Sequence, residues 1–235
     1  MKRQYRFAMV LFLVVLLTAG RAMADERMQF GRFGTVTIYR PVSEIQNVAL
    51  FVSGDGGWNL GVIDMAKALA SLGTLVVGID ITHYLKDIAR GRETCTYAAA
   101  DFEELSHYLQ KRLNLPHYLP PLLVGYSSGA TLAYAVLVQA PIGTFQGAIS
   151  LGFCPDLPLS KPFCRGNGLE AETGPKGKGF SFLPAPHLKL PWVALQGTID
   201  QVCDATETKS FVQQTGNAQL VMLPKVGHGF SVQKN

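Results

Sequence analysis

The chain has 235 residues and carries 21 basic and 17 acidic side chains. Four of the basic residues (Lys2, Arg3, Arg6 and Arg21) lie in the first 24 positions, which contain no acidic residue, so the remainder has 17 of each sign. A formally neutral chain lacks the basic excess of a nucleic-acid-binding protein. It also lacks the charge that draws a protein non-specifically to an anionic membrane surface.

The N-terminus has the organisation of a secretory signal peptide. A basic start, "MKRQYR", precedes the thirteen-residue apolar run Phe7–Ala19, and the small residues of "AMA" follow at 22–24. The run is too short for a spanning helix. We therefore predict a cleavable signal peptide over residues 1–24 and an exported chain of 211 residues starting at Asp25, the size of one α/β domain.

All four cysteines lie in the exported part: Cys95, Cys154, Cys164 and Cys203. An even number of cysteines in an oxidising compartment predicts disulfides. Three pairings are open, and the sequence does not choose among them. A zinc site is the competing interpretation, but there is no C-x-x-C pair to favour it.

Short runs rich in Val, Ile and Leu alternate with amphipathic or apolar helical patterns along the chain. Several of the runs are apolar almost throughout, which is typical of strands covered on both faces. The alternation predicts an α/β fold with a mostly parallel central sheet and helices on both faces. The predicted strands are 35–40, 47–53, 74–80, 121–127, 145–153, 191–197 and 218–224, and the predicted helices are 62–73, 96–113, 128–140 and 204–216.

One segment, about residues 154–190, interrupts this alternation because it is dense in Gly and Pro. It begins where a strand ends, at the sheet edge where ligands bind in open α/β sheets. We predict a lid-like, substrate-binding insertion, pinned in part by a disulfide through Cys154 or Cys164. A structural excursion without a role is the alternative.

The stretch "LLVGYSSGATLAYA" places Ser127 between Gly125 and Gly129, with an apolar run on either side. A plain strand-to-helix turn would explain it, but G-x-S-x-G is also the pattern of a nucleophile elbow. The partners of such a serine follow it in the order acid, then histidine. Asp200 and His228 both come directly after predicted strands in that order, so we predict a catalytic Ser127–Asp200–His228 triad.

Other residues compete for these roles. Asp204 is an alternative acid, but it lies farther from the strand end than Asp200. His83 also follows a strand, although it precedes the serine. Asp80 reads as an ordinary turn carboxylate. Glu170 and Glu172, in the insertion, are candidates to meet a cationic substrate group, as is Asp55.

The glycine-rich loop "FVSGDGGWN" follows a strand at the point where hydrolases supply a second oxyanion donor. We predict an oxyanion hole from the backbone N–H of Ser128 and that of Asp55 or Gly56. A phosphate-binding loop is the alternative, but the Lys and Ser/Thr of a P-loop are missing and the glycine spacing is not that of a dinucleotide site. The sequence therefore predicts neither a cofactor nor a metal.

Seven segments of the chain form a distinctive set: "LFVSGDGGW", "VVGIDI", "AAADFEEL", "VGYSSGATL", "SLGFCPDLPL", "LQGTIDQVCD" and "LPKVGHGFSV". Together they resemble the bacterial virulence protein VirJ/AcvB family, and in particular the N-terminal half of AcvB-type proteins. The resemblance implies an exported α/β-hydrolase fold in the periplasm of Gram-negative bacteria, with periplasmic proteins of type IV secretion as partners. It also implies hydrolysis of an aminoacylated phospholipid such as lysyl-phosphatidylglycerol, with Ser127, Asp200 and His228 as catalytic residues.

Two features depart from the family pattern. The elbow reads Gly-Tyr-Ser-Ser-Gly, whereas the VirJ-type half of two-part members usually has Phe after the nucleophile. In two-part members, the lipid activity is then expected in that VirJ-type half. The chain also continues for only seven residues past His228. A hydrolase normally adds a last helix there, so a fragment or a shortened protein is expected.

The expected function is thus that of a periplasmic serine esterase. A non-catalytic binding protein of the secretion system, built on a hydrolase scaffold, is the first alternative. An esterase with a small soluble substrate is the second.

Overall fold

The computed structural model describes residues 25–230, so the predicted signal peptide lies outside the described residues. Its centre is an eight-stranded sheet. Within the described part of the chain, no helix is long and apolar enough to span a bilayer. The strands of this sheet are β1 (Glu26–Phe30), β2 (Gly34–Tyr39), β3 (Asn47–Val52), β4 (Thr74–Ile79), β5 (Leu122–Tyr126), β6 (Gly147–Leu151), β10 (Trp192–Gly197) and β11 (Ala218–Leu223).

The strand order is β1-β2-β4-β3-β5-β6-β10-β11. β1 and β2 are antiparallel to their neighbours, and every pairing from β4 to β11 is parallel. The carboxyl ends of β3, β5, β10 and their parallel neighbours therefore meet at one edge. The candidate residues predicted from the sequence follow strands that end at this edge, where ligands bind in open α/β sheets.

In the part of the chain that the structure describes, five α-helices accompany the sheet: α1 (Leu60–Ser71), α2 (Ile81–Arg90), α3 (Ala98–Arg112), α4 (Ser128–Gln139) and α5 (Ala205–Gln214). Central strands are covered on both faces, as predicted. In β3, Val48, Leu50 and Val52 belong to the core that contains α3 and α4, whereas Ala49 and Phe51 pack with α1. The predicted α/β fold with a mostly parallel sheet is confirmed.

The helix α2 was not predicted from the sequence, although Ile81, Tyr84 and Ile88 stand at helical spacing. Its first turn is set by Asp80, whose carboxylate accepts hydrogen bonds from the N–H groups of Thr82 and His83. Such an N-cap stabilises a helix by about 1 kcal/mol. Ile81, Tyr84 and Ile88 then supply the buried face.

The segment predicted as a lid-like insertion contains a small antiparallel sheet of β7 (Asp156–Leu157), β9 (Phe180–Phe182) and β8 (Ala171–Thr173). Two disulfides hold it: Cys154 pairs with Cys203, and Cys164 pairs with Cys95. The predicted disulfides are therefore present, and the pairing left open by the sequence is decided. The insertion is bonded at both cysteines to segments outside it.

Candidate active site

Ser127 occupies a strained turn between β5 and α4. Its φ of 55° and ψ of −125° lie outside the regions that residues with a side chain normally adopt. The two flanking glycines make the turn sterically feasible. A Cβ on Gly125 would lie 2.0 Å from the carbonyl oxygen of Gly129, and one on Gly129 would lie 2.3 Å from that of Ser53. The G-x-S-x-G pattern is thus explained by close backbone packing around the partly buried Ser127.

Asp200 lies in the loop after β10, and its side chain is fully buried. Oδ1 accepts hydrogen bonds from the N–H groups of Val202 (2.8 Å) and Cys203 (3.0 Å). Oδ2 accepts one from the amide Nε2 of Gln196 at 3.0 Å. Burial by itself raises the pKa of Asp200, but the bonds from Cys203, His228 and Val202 together outweigh it and hold this pKa below its ordinary value. The carboxylate is therefore kept ionised and immobile.

His228 follows β11 and bridges the other two residues. Its Nδ1 lies 2.8 Å from Oδ2 of Asp200, and its Nε2 lies 2.9 Å from Oγ of Ser127. An ionised carboxylate can only accept, so Nδ1 carries the proton and Nε2 accepts from the serine hydroxyl. Gly152 leaves room for the ring, since a Cβ there would lie 3.1 Å from Cε1 of His228.

The competing acid, Asp204, is engaged elsewhere. It is the N-cap of α5, and its carboxylate accepts hydrogen bonds from the N–H groups of Thr206 and Glu207. The structure therefore brings Ser127, Asp200 and His228 together and leaves Asp204 out. His83 also stands apart, lying in α2 with its ring against Gly34.

The glycine-rich loop after β3 reaches the elbow. A Cβ on Gly54 would lie 3.0 Å from Cβ of Ser127, and Oδ1 of Asp55 accepts a hydrogen bond of 2.6 Å from Oγ of Ser128. Within residues 25–230, the N–H groups of Ser128, Asp55 and Gly56 donate to no acceptor. Free donors beside a serine hydroxyl are what an oxyanion hole requires.

Asp80 and Trp58 hold this loop in place. The N–H of Trp58 donates to Oδ2 of Asp80 at 3.3 Å, and its indole Nε1–H donates to the hydroxyl of Tyr39 at 3.1 Å. The indole lies directly over Gly78, where a Cβ would be 2.0 Å away. Asp80 is thus more than the ordinary turn carboxylate predicted from the sequence, because it caps α2 and anchors the loop as well.

Two clefts open beside Ser127. One, of about 260 Å³, is lined by Asp55, Ser127, Ser128, Cys154, Asp156 and Lys178, among others. The other, of about 250 Å³, lies between the glycine-rich loop and α1 and includes Tyr126, Val62 and Met65.

Sequence reasoning missed two contributors to the site. Gln196 binds the acid directly, yet a lone glutamine near a strand end carries no motif. Asp156 lies in the cleft of Ser127, whereas Glu170, considered from the sequence, pairs with Arg165 at 2.8 Å and lines a different cavity. The position of Asp156 depends on how the insertion folds back, which no local pattern reveals.

The fold is that of the α/β hydrolases, and it brings a serine, a histidine and an aspartate together in the geometry of a catalytic triad. The solved structures that are similar to this chain include the following three. The esterase domain of a Rhodothermus marinus protein is 18% identical with a TM-score of 0.57 and covers 89% of this chain and 91% of its own. A dienelactone hydrolase from Anabaena variabilis is 18% identical with a TM-score of 0.59, covering 88% and 89%. Esterase 2 from Thermogutta terrifontis, phosphorylated by paraoxon, is 15% identical with a TM-score of 0.54, covering 89% and 86%.

The family model described as "Bacterial virulence protein (VirJ)" matches residues 46–146. The matched segment includes both the glycine-rich loop and the elbow, so the resemblance stated from the sequence is confirmed there. No curated protein sequence matches the chain.

Proposed function

We propose that this protein is a serine hydrolase that cleaves an ester through a Ser127 acyl-enzyme. The observation that carries the proposal is the continuous hydrogen-bonded chain from Ser127 Oγ to His228 to Asp200, at 2.9 and 2.8 Å. A serine hydroxyl is a weak nucleophile until a base takes its proton, and His228 Nε2 is placed to do so. Asp200 holds the imidazole tautomer and stabilises the imidazolium that forms.

The reaction follows from this arrangement. Ser127 Oγ attacks the ester carbonyl while its proton passes to His228, and the N–H groups of Ser128 and of Asp55 or Gly56 stabilise the oxyanion. His228 then gives the proton to the leaving alkoxide, which departs as an alcohol. Water, deprotonated by His228, hydrolyses the acyl-enzyme and frees Ser127.

A fluorophosphonate probe tests the proposed nucleophile. We expect labelling of the wild type and none of Ser127→Ala, because the probe reacts with an activated serine. Ser210→Ala is the control: it removes an exposed hydroxyl on α5, away from the site, so labelling persists. An unlabelled, folded wild type would contradict the proposal.

We further propose an aminoacylated phospholipid such as lysyl-phosphatidylglycerol as the substrate. The cleft of Ser127 supports this, since it presents the carboxylates of Asp55 and Asp156 together with Lys178. Carboxylates suit the ammonium groups of an aminoacyl ester, and a lysine suits a phosphate.

This substrate class is tested by measuring ester hydrolysis in vesicles that contain the aminoacyl lipid. Asp156→Asn should raise KM about 10-fold for this ester but leave KM unchanged for a neutral soluble ester.

We propose a periplasmic location. The two disulfides support it, since such bonds persist in oxidising compartments. Sequencing the N-terminus of protein recovered from the periplasm tests this, with Asp25 as the expected first residue.

A Ser127→Ala strain that kept full virulence would favour the non-catalytic binding role over the proposed hydrolase.

A further inference from the structure

We infer that the Cys154–Cys203 disulfide is a positioning element of the active site: it ties the loop that carries Asp200 to the helix that follows Ser127. This inference rests on the proposed function, because it concerns the geometry of the same three residues. It assigns a role in turnover to Cys154 and Cys203 in addition to any role in stability.

On one side, the disulfide is joined to the nucleophile. The carbonyl of Cys154 accepts a hydrogen bond of 2.5 Å from Oγ1 of Thr131, in the first turn of α4. The N–H of Thr131 donates in turn to the carbonyl of Ser127 at 3.3 Å. Cys154 also lines the cleft that contains Ser127. Its position is therefore set by the same turn that holds the nucleophile.

On the other side, the disulfide is joined to the acid. The N–H of Cys203 donates to Oδ1 of Asp200 at 3.0 Å, and its carbonyl accepts from Nε2 of Gln196 at 2.8 Å. The same Nε2 donates to Oδ2 of Asp200. Cys203 is 2% exposed, so no water is available to replace these bonds. A shift of Cys203 would move the carboxylate away from His228.

The second disulfide provides a natural control. Cys95–Cys164 lies at the far end of α4, where the N–H of Cys164 donates to the carbonyl of Thr96 and the Gln139 side chain binds both segments. That end is about 17 Å from Ser127 along the twelve-residue helix. The two disulfides close chain segments of 69 and 49 residues, so they should stabilise the fold to a similar degree.

The experiment compares two double variants, Cys154→Ala/Cys203→Ala and Cys95→Ala/Cys164→Ala. Ester turnover is measured per folded molecule, with circular dichroism giving the folded fraction. We expect similar losses of thermal stability, but kcat should fall roughly 10-fold to 100-fold only in the first, as for displacements of about 1 Å at a reacting centre. KM for a small neutral ester should change much less than kcat, because Cys154 is the only residue named in the lining of the cleft that is replaced.

Equal kcat values for the two folded variants, with an active wild type, would overturn the inference and leave the proposed function intact. A folded, oxidised wild type that neither turns over esters nor reacts with a fluorophosphonate would overturn the proposed function first. The two failures are therefore distinguishable.

A second measurement covers the case in which the Cys154→Ala/Cys203→Ala variant fails to fold. The Cys95→Ala/Cys164→Ala variant retains only the Cys154–Cys203 disulfide. A dithiol reductant supplies two electrons and two protons that convert this disulfide to two thiols, and the reductant itself is oxidised to a cyclic disulfide. We expect turnover to fall before the circular dichroism changes and to return when oxidised glutathione re-forms the bond. Turnover that falls only in step with unfolding overturns the inference.

Discussion

The two ends of α4 have similar surroundings but different roles: one end fastens the helix to the fold, and the other follows the candidate nucleophile. At the C-terminal end, the Gln139 side chain is fully buried and binds the N–H of Ala99 and the carbonyls of Thr96 and Cys164. At the N-terminal end, Ser127 is strained, and the N–H of Ser128 donates to no acceptor within the described chain. Each end also has a disulfide beside it.

The difference shows how one helix serves both stability and chemistry. A buried polar group must be paired, and Gln139 pairs at three points to fasten the helix to its surroundings. The donors at the other end lie in an open cleft, where water or a developing oxyanion can accept their hydrogen bonds. The hydrogen bonds of Gln139 stabilise the fold, and this free energy offsets the cost of the strained backbone at Ser127.

The largest expected effect comes from Asp200→Asn, which breaks the N-terminal site alone. We expect kcat for ester hydrolysis to fall about 10,000-fold, because an amide in place of the carboxylate favours the wrong imidazole tautomer. Asp204→Asn is the matched control, four residues away, and should leave kcat within about twofold since it affects only the cap of α5. Equal losses in both variants would contradict the assignment of the acid.

Gly129→Ala should destabilise the fold by about 3 kcal/mol or more, because its Cβ would meet the backbone oxygens of Ser53 and Val52 at 2.3 and 2.4 Å. These are backbone atoms at the end of the central strand β3, which cannot move aside as the tip of a flexible side chain could. Gly61→Ala, in α1, has nothing within 4 Å and should instead stabilise by about 0.5 kcal/mol. Urea unfolding of both variants measures the contrast, and a tolerant Gly129 would refute the packing explanation of the elbow.

Gln139→Ala should lower the free energy of unfolding by about 2 kcal/mol and leave kcat unchanged, because it removes partners from buried groups at the end of α4 remote from the site. Gln214→Ala, on the exposed face of α5, is the control and should cost less than about 0.5 kcal/mol. Denaturant unfolding and ester turnover of the same samples test both halves. A fall in kcat for folded Gln139→Ala would mean that the two ends are coupled.

The smallest effect is on the pH dependence of stability. The pKa of Asp200 is lower in the folded than in the unfolded state, so its contribution is complete above the unfolded value, near 3.8, and is lost as the pH falls through the folded value. Between pH 5 and pH 3, which are about one unit either side of that value, the wild type should therefore lose more stability than Asp200→Asn. Urea unfolding at both pH values gives this double difference, and parallel losses would show that the carboxylate gains nothing from its loop.

Sequence reasoning predicted seven of the eight strands of the central sheet, all but β1, together with most helices and the three converging residues. It succeeded because strands covered on both faces leave long apolar runs, and because parallel strands bring their carboxyl ends to one edge. It missed α2, whose start depends on the Asp80 cap, and the small sheet of the insertion, whose strands are only two or three residues long. Segments this short have no periodicity to detect.

The order of elements and the residue types at the strand ends were thus readable along the chain, because they depend on local burial and turn chemistry. The disulfide pairing and the placement of Gln196 and Asp156 were decided only by tertiary structure. Each of these depends on which distant segments share one small volume, and hydrogen bonds and disulfides are selective over a few ångströms. The number of residues between two segments does not reveal whether their side chains lie within that distance.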